Sequence, residues 1–380
     1  MKIAFIYDVI YPYVKGGVEK RVWELAVRLS RRGHDVHLFG MKFWDGEDIL
    51  IREGIILHGV CPAQKLYTGG RRSLWQPLYF SLCLILPLLK EKIDIIDCQQ
   101  FPYFSCFSAK FVSRMKKIPL VITWHEVWGD YWYEYLGWKG FAGICTERLV
   151  VRLTSNTIAV SKTTANNLEI LGISSNIKII PNGVELQKIQ SIRPSDSVSD
   201  IIFVGRLIRE KHADILIQAF SKLLTDKPAL RLLIIGEGPE HDSIAKQINE
   251  YFINDQVHLI GFQENYDDII AHMKSSKIFV LPSTREGFGI SALEALACGL
   301  PVVTIDHPAN AIRDLINDSN GFLCSLSAED LGNTIRLALT RHKEMRDSCI
   351  LSAQAFDWDH ITVDIEEFYQ TVITSHGQGK

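Results

Sequence analysis

The sequence has no apolar run of about 18 residues, the length at which a membrane-crossing helix becomes credible. Its nearest approach, Leu78–Leu89, covers 12 residues and is interrupted by Ser81 and Pro87. The opening MKIAFIYDVIYP turns polar too soon for a secretory leader and reads as a first strand. Eight cysteines, at 61, 83, 98, 106, 145, 298, 324 and 349, form no Cys-x-x-Cys pair and sit mostly in apolar stretches. That excludes a zinc ribbon or disulfide scaffold and predicts free, buried thiols in a reducing cytoplasm. No collagen-like repeat or heptad run is present, and 47% hydrophobic with 22% charged residues excludes a wholly disordered chain.

What is present is enough for two domains: 380 residues. The net charge of −3 hides an asymmetry, with residues 1–190 at +7 and residues 191–380 at −10. A basic first half suits an anionic membrane or a phosphate-bearing partner, and equally an unevenly decorated solvated surface. Two similar programmes follow one another. Strands are expected at Lys2–Tyr7, Asp35–Phe39, Ile93–Asp97, Leu120–Thr123, Thr157–Val160 and Lys178–Ile180, with helices between them, the first over Val18–Arg31. A polar stretch, Gln190–Asp200, reads as a linker, and the pattern restarts with strands at Ile201–Val204, Leu230–Ile235, Val257–Ile260, Ile278–Leu281 and Pro301–Ile305. This alternation predicts two α/β domains with parallel, doubly wound sheets. The expected boundaries are 1–190 and 197–355, with helices closing the chain.

Most of the chemistry lies in Leu281–Val303, LPSTREGFGISALEALACGLPVV. A strand ends, a loop carries Glu286, and a helix starting near Gly289 carries Glu294. Gly287 and Gly289 let backbone approach a ligand, and a helix N-terminus offers unpaired N–H groups to an anion. Glu294 can grip a diol such as a ribose and Glu286 a second sugar; the bland alternatives are a helix-dipole partner and a solvated loop acid. In GRLIREKH, Arg206 and Lys211 can clamp a diphosphate, or form a surface cluster with Glu210. Gly16-Gly17 opens the first helix but lacks the Gly-x-Gly-x-x-Gly spacing of a dinucleotide fingerprint. Gly236-Glu237-Gly238-Pro239 suits a turn better than a phosphate cradle. Four tryptophans (124, 128, 132, 138) and three tyrosines (131, 133, 135) crowd one short stretch. Core packing, an acceptor-binding wall and membrane contact all stay open for it, as burial and lipid contact do for Arg71–Leu89. No metal site is apparent, and Asp357-x-Asp359 does not follow a strand.

The spacing Glu286-x7-Glu294, inside P-S-x-x-E-G-F-G-I and followed by E-A-L-A-C-G-L-P-V-V, resembles the signature of glycosyltransferase family 4. The resemblance extends to Gly205-Arg206-Leu207 with Lys211, to Gly16-Gly17, to His125 in TWHE, to Pro181-Asn182-Gly183-Val184 and to Phe356-x-Trp358. It implies a GT-B architecture, two Rossmann-like domains facing a central cleft, with the last helix, about 356–380, packing back on the first domain. It also implies a retaining, metal-independent enzyme that needs no cofactor and moves a hexose from a UDP- or GDP-sugar to a glycan or lipid-linked acceptor. The catalytic set it implies is His125, Glu286, Arg206 and Lys211. The donor set adds Gly16, Gly17, Gly205, Gln263, Gly287, Phe288, Gly289, Ile290 and Glu294. Glu126, Trp128 and Trp132 are acceptor candidates. Asn182-Gly183 reads as a turn in which Gly183 takes a positive φ.

The expected partners are the donor and the acceptor, with no nucleic acid, and the expected location is the cytoplasm, with the membrane's inner face open through the N-terminal domain. Three competing readings remain. A glycoside hydrolase using Glu286 and Glu294 leaves Arg206 and Lys211 unexplained. A sugar-nucleotide epimerase shares the shape. A catalytically silent partner subunit shares the fold, but every expected donor-site residue is present.

Overall fold

The computed structural model describes residues 1–68, 71–73, 75–173 and 177–378; Leu74, within the apolar 71–89 segment, and the last two residues of the expected final helix lie outside them. The chain divides into two compact units, Met1–Asn182 with Trp358–Lys380, and Gly183–Asp357.

The first unit runs β1 (Lys2–Ile6), α1 (Gly17–Arg31), β2 (Asp35–Lys42), β3 (Ile49–Arg52), β4 (Ile55–Pro62) and a hairpin of β5 (Tyr67–Thr68) and β6 (Arg71–Arg72). It continues through α2 (Trp75–Lys90), β7 (Ile95–Gln99), α3 (Phe104–Lys116), β8 (Leu120–Trp124), α4 (Tyr131–Leu136) and α5 (Gly140–Val151). It then takes β9 (Asn156–Ala159), α6 (Lys162–Ile170) and β10 (Ile177–Ile179). The sheet order is β10-β9-β8-β7-β1-β2-β4-β3, parallel throughout except at β3, which pairs antiparallel with β4. Strands β1, β7 and β8 are almost wholly buried, as expected of a parallel sheet covered on both faces.

The second unit runs α7 (Leu186–Ser191), β11 (Ile201–Val204), α8 (Ala213–Asp226), β12 (Leu232–Ile235), α9 (His241–Glu250), β13 (Val257–Ile260) and α10 (Tyr266–Lys274). It continues with β14 (Ile278–Leu281), α11 (Ile290–Ala297), β15 (Val302–Ile305), β16 (Gly321–Cys324) and α12 (Ala328–Gln354). Its six strands are all parallel, in the order β13-β12-β11-β14-β15-β16.

The last helix, α13 (Trp358–Gln378), belongs to the first unit. Its Glu366 pairs with Arg32 (2.6 Å) and His34 (3.0 Å), and its buried Tyr369 hydroxyl donates to Asp97 on β7.

Three expectations change. The division falls after Asn182, not after residue 190, so α7 belongs to the second unit. The polar stretch 190–200 is not a free linker: the Lys274 ammonium donates to the carbonyls of Ile189, Gln190 and Ile192, and Ser195 N–H donates to Ala271 O. Gly183 is not among the positive-φ residues; Asn182 is instead buried and accepts from Arg21 at 3.1 Å. Strands β3, β4, β5, β6 and β16 are additions to the expected pattern. All eight cysteines are free thiols, six of them buried.

Candidate active site

In an open parallel sheet, ligands gather beyond the strand C-termini where the strand order reverses. In the second unit that point lies between β11 and β14, neighbours in the sheet although far apart in sequence. The loop after β11 carries Arg206 and Lys211, and the loop after β14 carries Glu286. The two loops are stitched together. Thr284 N–H donates to Glu210 O at 3.0 Å, His212 Nε2 lies 3.0 Å from Thr284 Oγ1, and the Lys211 ammonium donates to the Glu286 carboxylate. Lys211 and Glu286 are largely shielded, at 14% and 13% side-chain exposure, so their pairing is not a loose surface contact.

The Glu286 backbone is fixed from its other side. Its N–H donates to Ala309 O and its carbonyl accepts from Ala311 N–H, both at 3.0 Å, forming a parallel bridge to Asn310. Asn310 is fully buried, and its amide donates to Thr304 Oγ1 and Ile305 O on β15. Neither Asn310 nor Thr284 carried a sequence signal, because the loops they tie down, at Glu286 and Glu210, are far away in sequence.

Glycines set the loop shapes. Gly289 caps α11 at φ +92°, where a Cβ would lie 2.3 Å from Ile312 Cγ1. Gly236 (φ +149°) presses against the Gly205 carbonyl, and Gly238 against that of Leu207; a Cβ would come within 1.9 and 2.2 Å of those oxygens. The Gly236–Pro239 segment is therefore a wall behind the Arg206–Lys211 loop. Gly205 itself has little spare room, its virtual Cβ meeting Lys211 Cδ at 3.2 Å.

Glu294, on α11, is buried at 7% exposure and accepts a hydrogen bond from the Tyr266 hydroxyl. Burial, and then the adjacent Glu294 carboxylate, hold that phenol well above its usual range. Tyr266 begins α10, only three residues after Gln263 in the loop following β13, and sequence reading passed over it. Gly287 and Ile290 flank the turn into α11, half-buried. The Phe288 ring faces inward, buried at 5% exposure and packed edge-on against Phe356. Arg206 is exposed. The second unit thus gathers Gly205, Arg206, Lys211, Glu286, Gly287, Gly289 and Glu294 around one strand-order reversal.

The first unit holds the other expected residues. Gly16 and Gly17 sit exposed at the start of α1, with Gly16 as its N-cap. His125 follows β8, half-buried, and its Nε2 lies 2.8 Å from Gln99 Oε1. Gln99 in turn donates from Nε2 to Asp97 Oδ1 at 3.1 Å, and Asp97 also accepts from Thr123 and Tyr369. A buried carboxylate saturated with donors fixes the amide orientation, so His125 carries its proton on Nε2. Burial first, then the Arg21 charge, push the imidazole down to about 3, which makes it neutral at physiological pH.

Glu126, Trp128 and Trp132 follow in the aromatic segment. Trp128 stacks on Phe101 (5.3 Å between ring centroids) and meets Trp132 at 4.6 Å. Glu147, fully buried, anchors the segment by accepting from Trp128 N–H, Gly129 N–H and the Tyr103 hydroxyl at 2.7–2.9 Å. Among the described residues no group of three His, Cys, Asp or Glu side chains is arranged to hold a metal ion, and no helix is long and apolar enough to cross a membrane.

Comparison with known proteins agrees with this geometry. The family described as Glycosyltransferase Family 4 matches residues 15–188, and that described as Glycosyl transferases group 1 matches residues 186–356. The N-acetyl-alpha-D-glucosaminyl L-malate synthase of Bacillus anthracis is 32% identical, over 83% of this chain and 82% of its own. The phosphatidylinositol N-acetylglucosaminyltransferase gpi3 subunit of Schizosaccharomyces pombe is 24% identical, over 98% of this chain and 81% of its own. Among solved structures, Anabaena Alr3699/HepE in complex with UDP and glucose superimposes with a TM-score of 0.73 at 21% identity, covering 97% of this chain and 98% of that one. Both halves of the family's signature, and both units of its GT-B fold, are present: the chain belongs to glycosyltransferase family 4.

Proposed function

We propose that this glycosyltransferase is a retaining hexosyltransferase that takes a UDP- or GDP-sugar as donor, needs neither metal nor cofactor, and delivers the sugar to a hydroxyl of a glycan or lipid-linked acceptor at the cytoplasmic face of a membrane. The observation that carries the reading is the largely shielded Lys211–Glu286 pair, held on two stitched loops beside the N-terminus of α11. A diphosphate leaving group needs positive charge in place before the bond breaks. Arg206, Lys211 and the first N–H groups of α11 supply it without a metal. Glu286 then has two duties, holding the Lys211 ammonium in position and accepting from a sugar hydroxyl. Glu294, with Tyr266 fixing one of its oxygens, grips the ribose.

The acceptor oxygen bonds to the anomeric carbon on the face from which the phosphate departs. The acceptor's proton passes to a phosphate oxygen, so no protein nucleophile is required. His125, neutral with its proton on Nε2, leaves Nδ1 as a hydrogen-bond acceptor and is unsuited to be a general acid near neutrality. The UDP complex of the Anabaena protein and the lipid named in the fission-yeast relative support this choice of donor and acceptor class.

Saturation-transfer NMR with an equimolar panel of UDP-, GDP- and ADP-sugars tests the reading, repeated on Glu294→Ala. Ribose and hexose signals from one nucleotide sugar, lost in the variant, support it. A folded protein that binds none of them overturns it and favours a silent subunit, and turnover of the sugar nucleotide without any acceptor identifies an epimerase.

A further inference from the structure

The first unit contains a cavity of about 510 Å³ whose walls are almost entirely apolar. It is built where α4, α5 and the loop after β7 meet, from Phe101, Phe104, Trp132, Leu136 and Phe141 among others. Two glycines of α5 shape it: a Cβ on Gly143 would lie 2.2 Å from the Trp132 indole, and one on Gly140 would lie 2.3 Å from the Trp132 carbonyl. Trp132 is 6% exposed, and its indole N–H has no hydrogen-bond partner. That N–H is sealed from open space, so the ring lines the cavity with carbon.

The cavity does not stand alone. A groove of about 410 Å³ between α2 and α3 shares Phe104 and Thr146 with it and continues along Leu82, Ile85, Phe107 and Phe111. Around the groove the apolar surface carries on: Trp75, Leu82 and Leu86 along α2, Met115 on α3 and Phe141 on α5 are each at least 60% exposed. From Trp75 to Leu89 no charged residue occurs. The borders are cationic. Lys139 lies at the cavity with its ammonium 5.9 Å from the ring centre of the exposed Trp138, and α3 carries Lys110 and Arg114 one turn apart, close enough for each charge to oppose the other. Apolar faces this large on a soluble domain mark a binding surface, and a cationic rim selects an anionic partner.

We propose that this cavity and its groove take one hydrocarbon chain of an anionic membrane lipid, while the α2–α3–α5 face lies in the lipid headgroup layer. The chain enters past Phe141 and continues toward Phe111, and Lys139 meets the phosphate. The occupant follows from the walls and their charge, and it holds whichever donor nucleotide the second unit takes. A compact volume closed by aromatic rings suits a flexible chain and excludes a folded peptide, which would bring unpaired backbone groups into it.

The test uses the full chain and a monomeric lysophosphatidylglycerol whose oleoyl chain carries two bromines, which quench indole emission on contact. Saturable quenching, with affinity weakened about tenfold by the cavity-filling pair Ala142→Phe and Thr146→Phe, is expected. Both positions are at or near the surface of α5, and circular dichroism confirms that the variant folds. Leu351→Ser, on an exposed apolar site of the other unit, should change nothing. In a second arm, cosedimentation with phosphatidylcholine vesicles doped with phosphatidylglycerol should be lost in Leu82→Ser with Leu86→Ser. Quenching that glycerophosphoglycerol abolishes as well as the intact lipid does, or that survives the filled cavity, overturns the proposal. So does a dimer that the Leu82 and Leu86 changes dissociate, since the apolar face then belongs to a second copy of this chain. Nucleotide-sugar binding by the filled variant separates failure here from failure of the transferase reading.

Discussion

The two units use carboxylates in opposite ways. In the first, Glu147 and Asp97 are sealed in the interior and saturated by neighbours, Glu147 by two backbone N–H groups and a phenol, Asp97 by Thr123, Gln99 and Tyr369. Their oxygens are committed to holding loops and α13 in place. In the second, Glu286 is held through its backbone, by the bridge to Asn310, so its carboxylate is left for Lys211 and for chemistry. An acid positioned by its main chain keeps carboxylate oxygens for other partners, whereas one whose oxygens are all taken by structural donors does not. Which kind a given glutamate is cannot be read from its neighbours in sequence.

The contrast can be broken at its strongest point first. Lys211→Met and Glu286→Gln should each lower sugar transfer about 10²–10³-fold while leaving the melting temperature within a few degrees, because only the transition state loses charge stabilisation. Steady-state kinetics beside a thermal melt checks this, and a large fall in melting temperature would place Glu286 in the structural class instead. Glu147→Gln should show the reverse pattern. Turning an acceptor oxygen into a donor against Tyr103 or the Trp128 and Gly129 N–H groups should cost about 2–3 kcal/mol in urea unfolding. A smaller comparison concerns His125: its imidazole resonances should not titrate between about pH 5 and pH 8, unlike those of exposed histidines. Titration near the ordinary value would mean that the site admits water freely.

The smallest effect sharpens the picture of α13. Burial alone would raise the Glu366 carboxyl, but hydrogen bonds and charge from Arg32 and His34 hold it below its usual 4.5. A depressed carboxyl contributes stability that is present above that value and is lost as the pH falls through its lower folded value. Glu366→Gln should therefore cost about 0.5 kcal/mol at neutral pH, a modest figure because Arg32 is half exposed, and the difference should close in acid. A loss that persists at low pH would point to packing rather than charge.

Legibility followed distance along the chain. The strand–loop–helix units holding Glu286 with Glu294, and Arg206 with Lys211, are local, and their strands Ile278–Leu281 and Ile201–Val204 match to the residue. Tyr266, Asn310, Gln99 and Glu147 were missed because each acts on a residue at least 18 positions away, where no sequence window reaches. Strand β3 was hidden for another reason. Ile49 and Ile51 are 52% and 71% exposed, so apolar residues occupy its solvent side and the alternation that marks a strand vanishes. The 190–200 stretch looked like a linker because its composition is polar, yet one lysine, Lys274, ties its start to the second unit.

The bridge between Glu286 and Asn310 bears on how such a protein could diversify. A residue whose main chain is bonded on both sides has no slack: moving it to suit another sugar would mean rebuilding β15 and the loop after it. The loop after β13 is different, with Phe262 53% exposed and Gln263 half-buried. Lineages with new preferences would be expected to drift there first, and a mutagenesis library meant to change what this protein accepts should randomise 262–265 and leave 284–311 untouched.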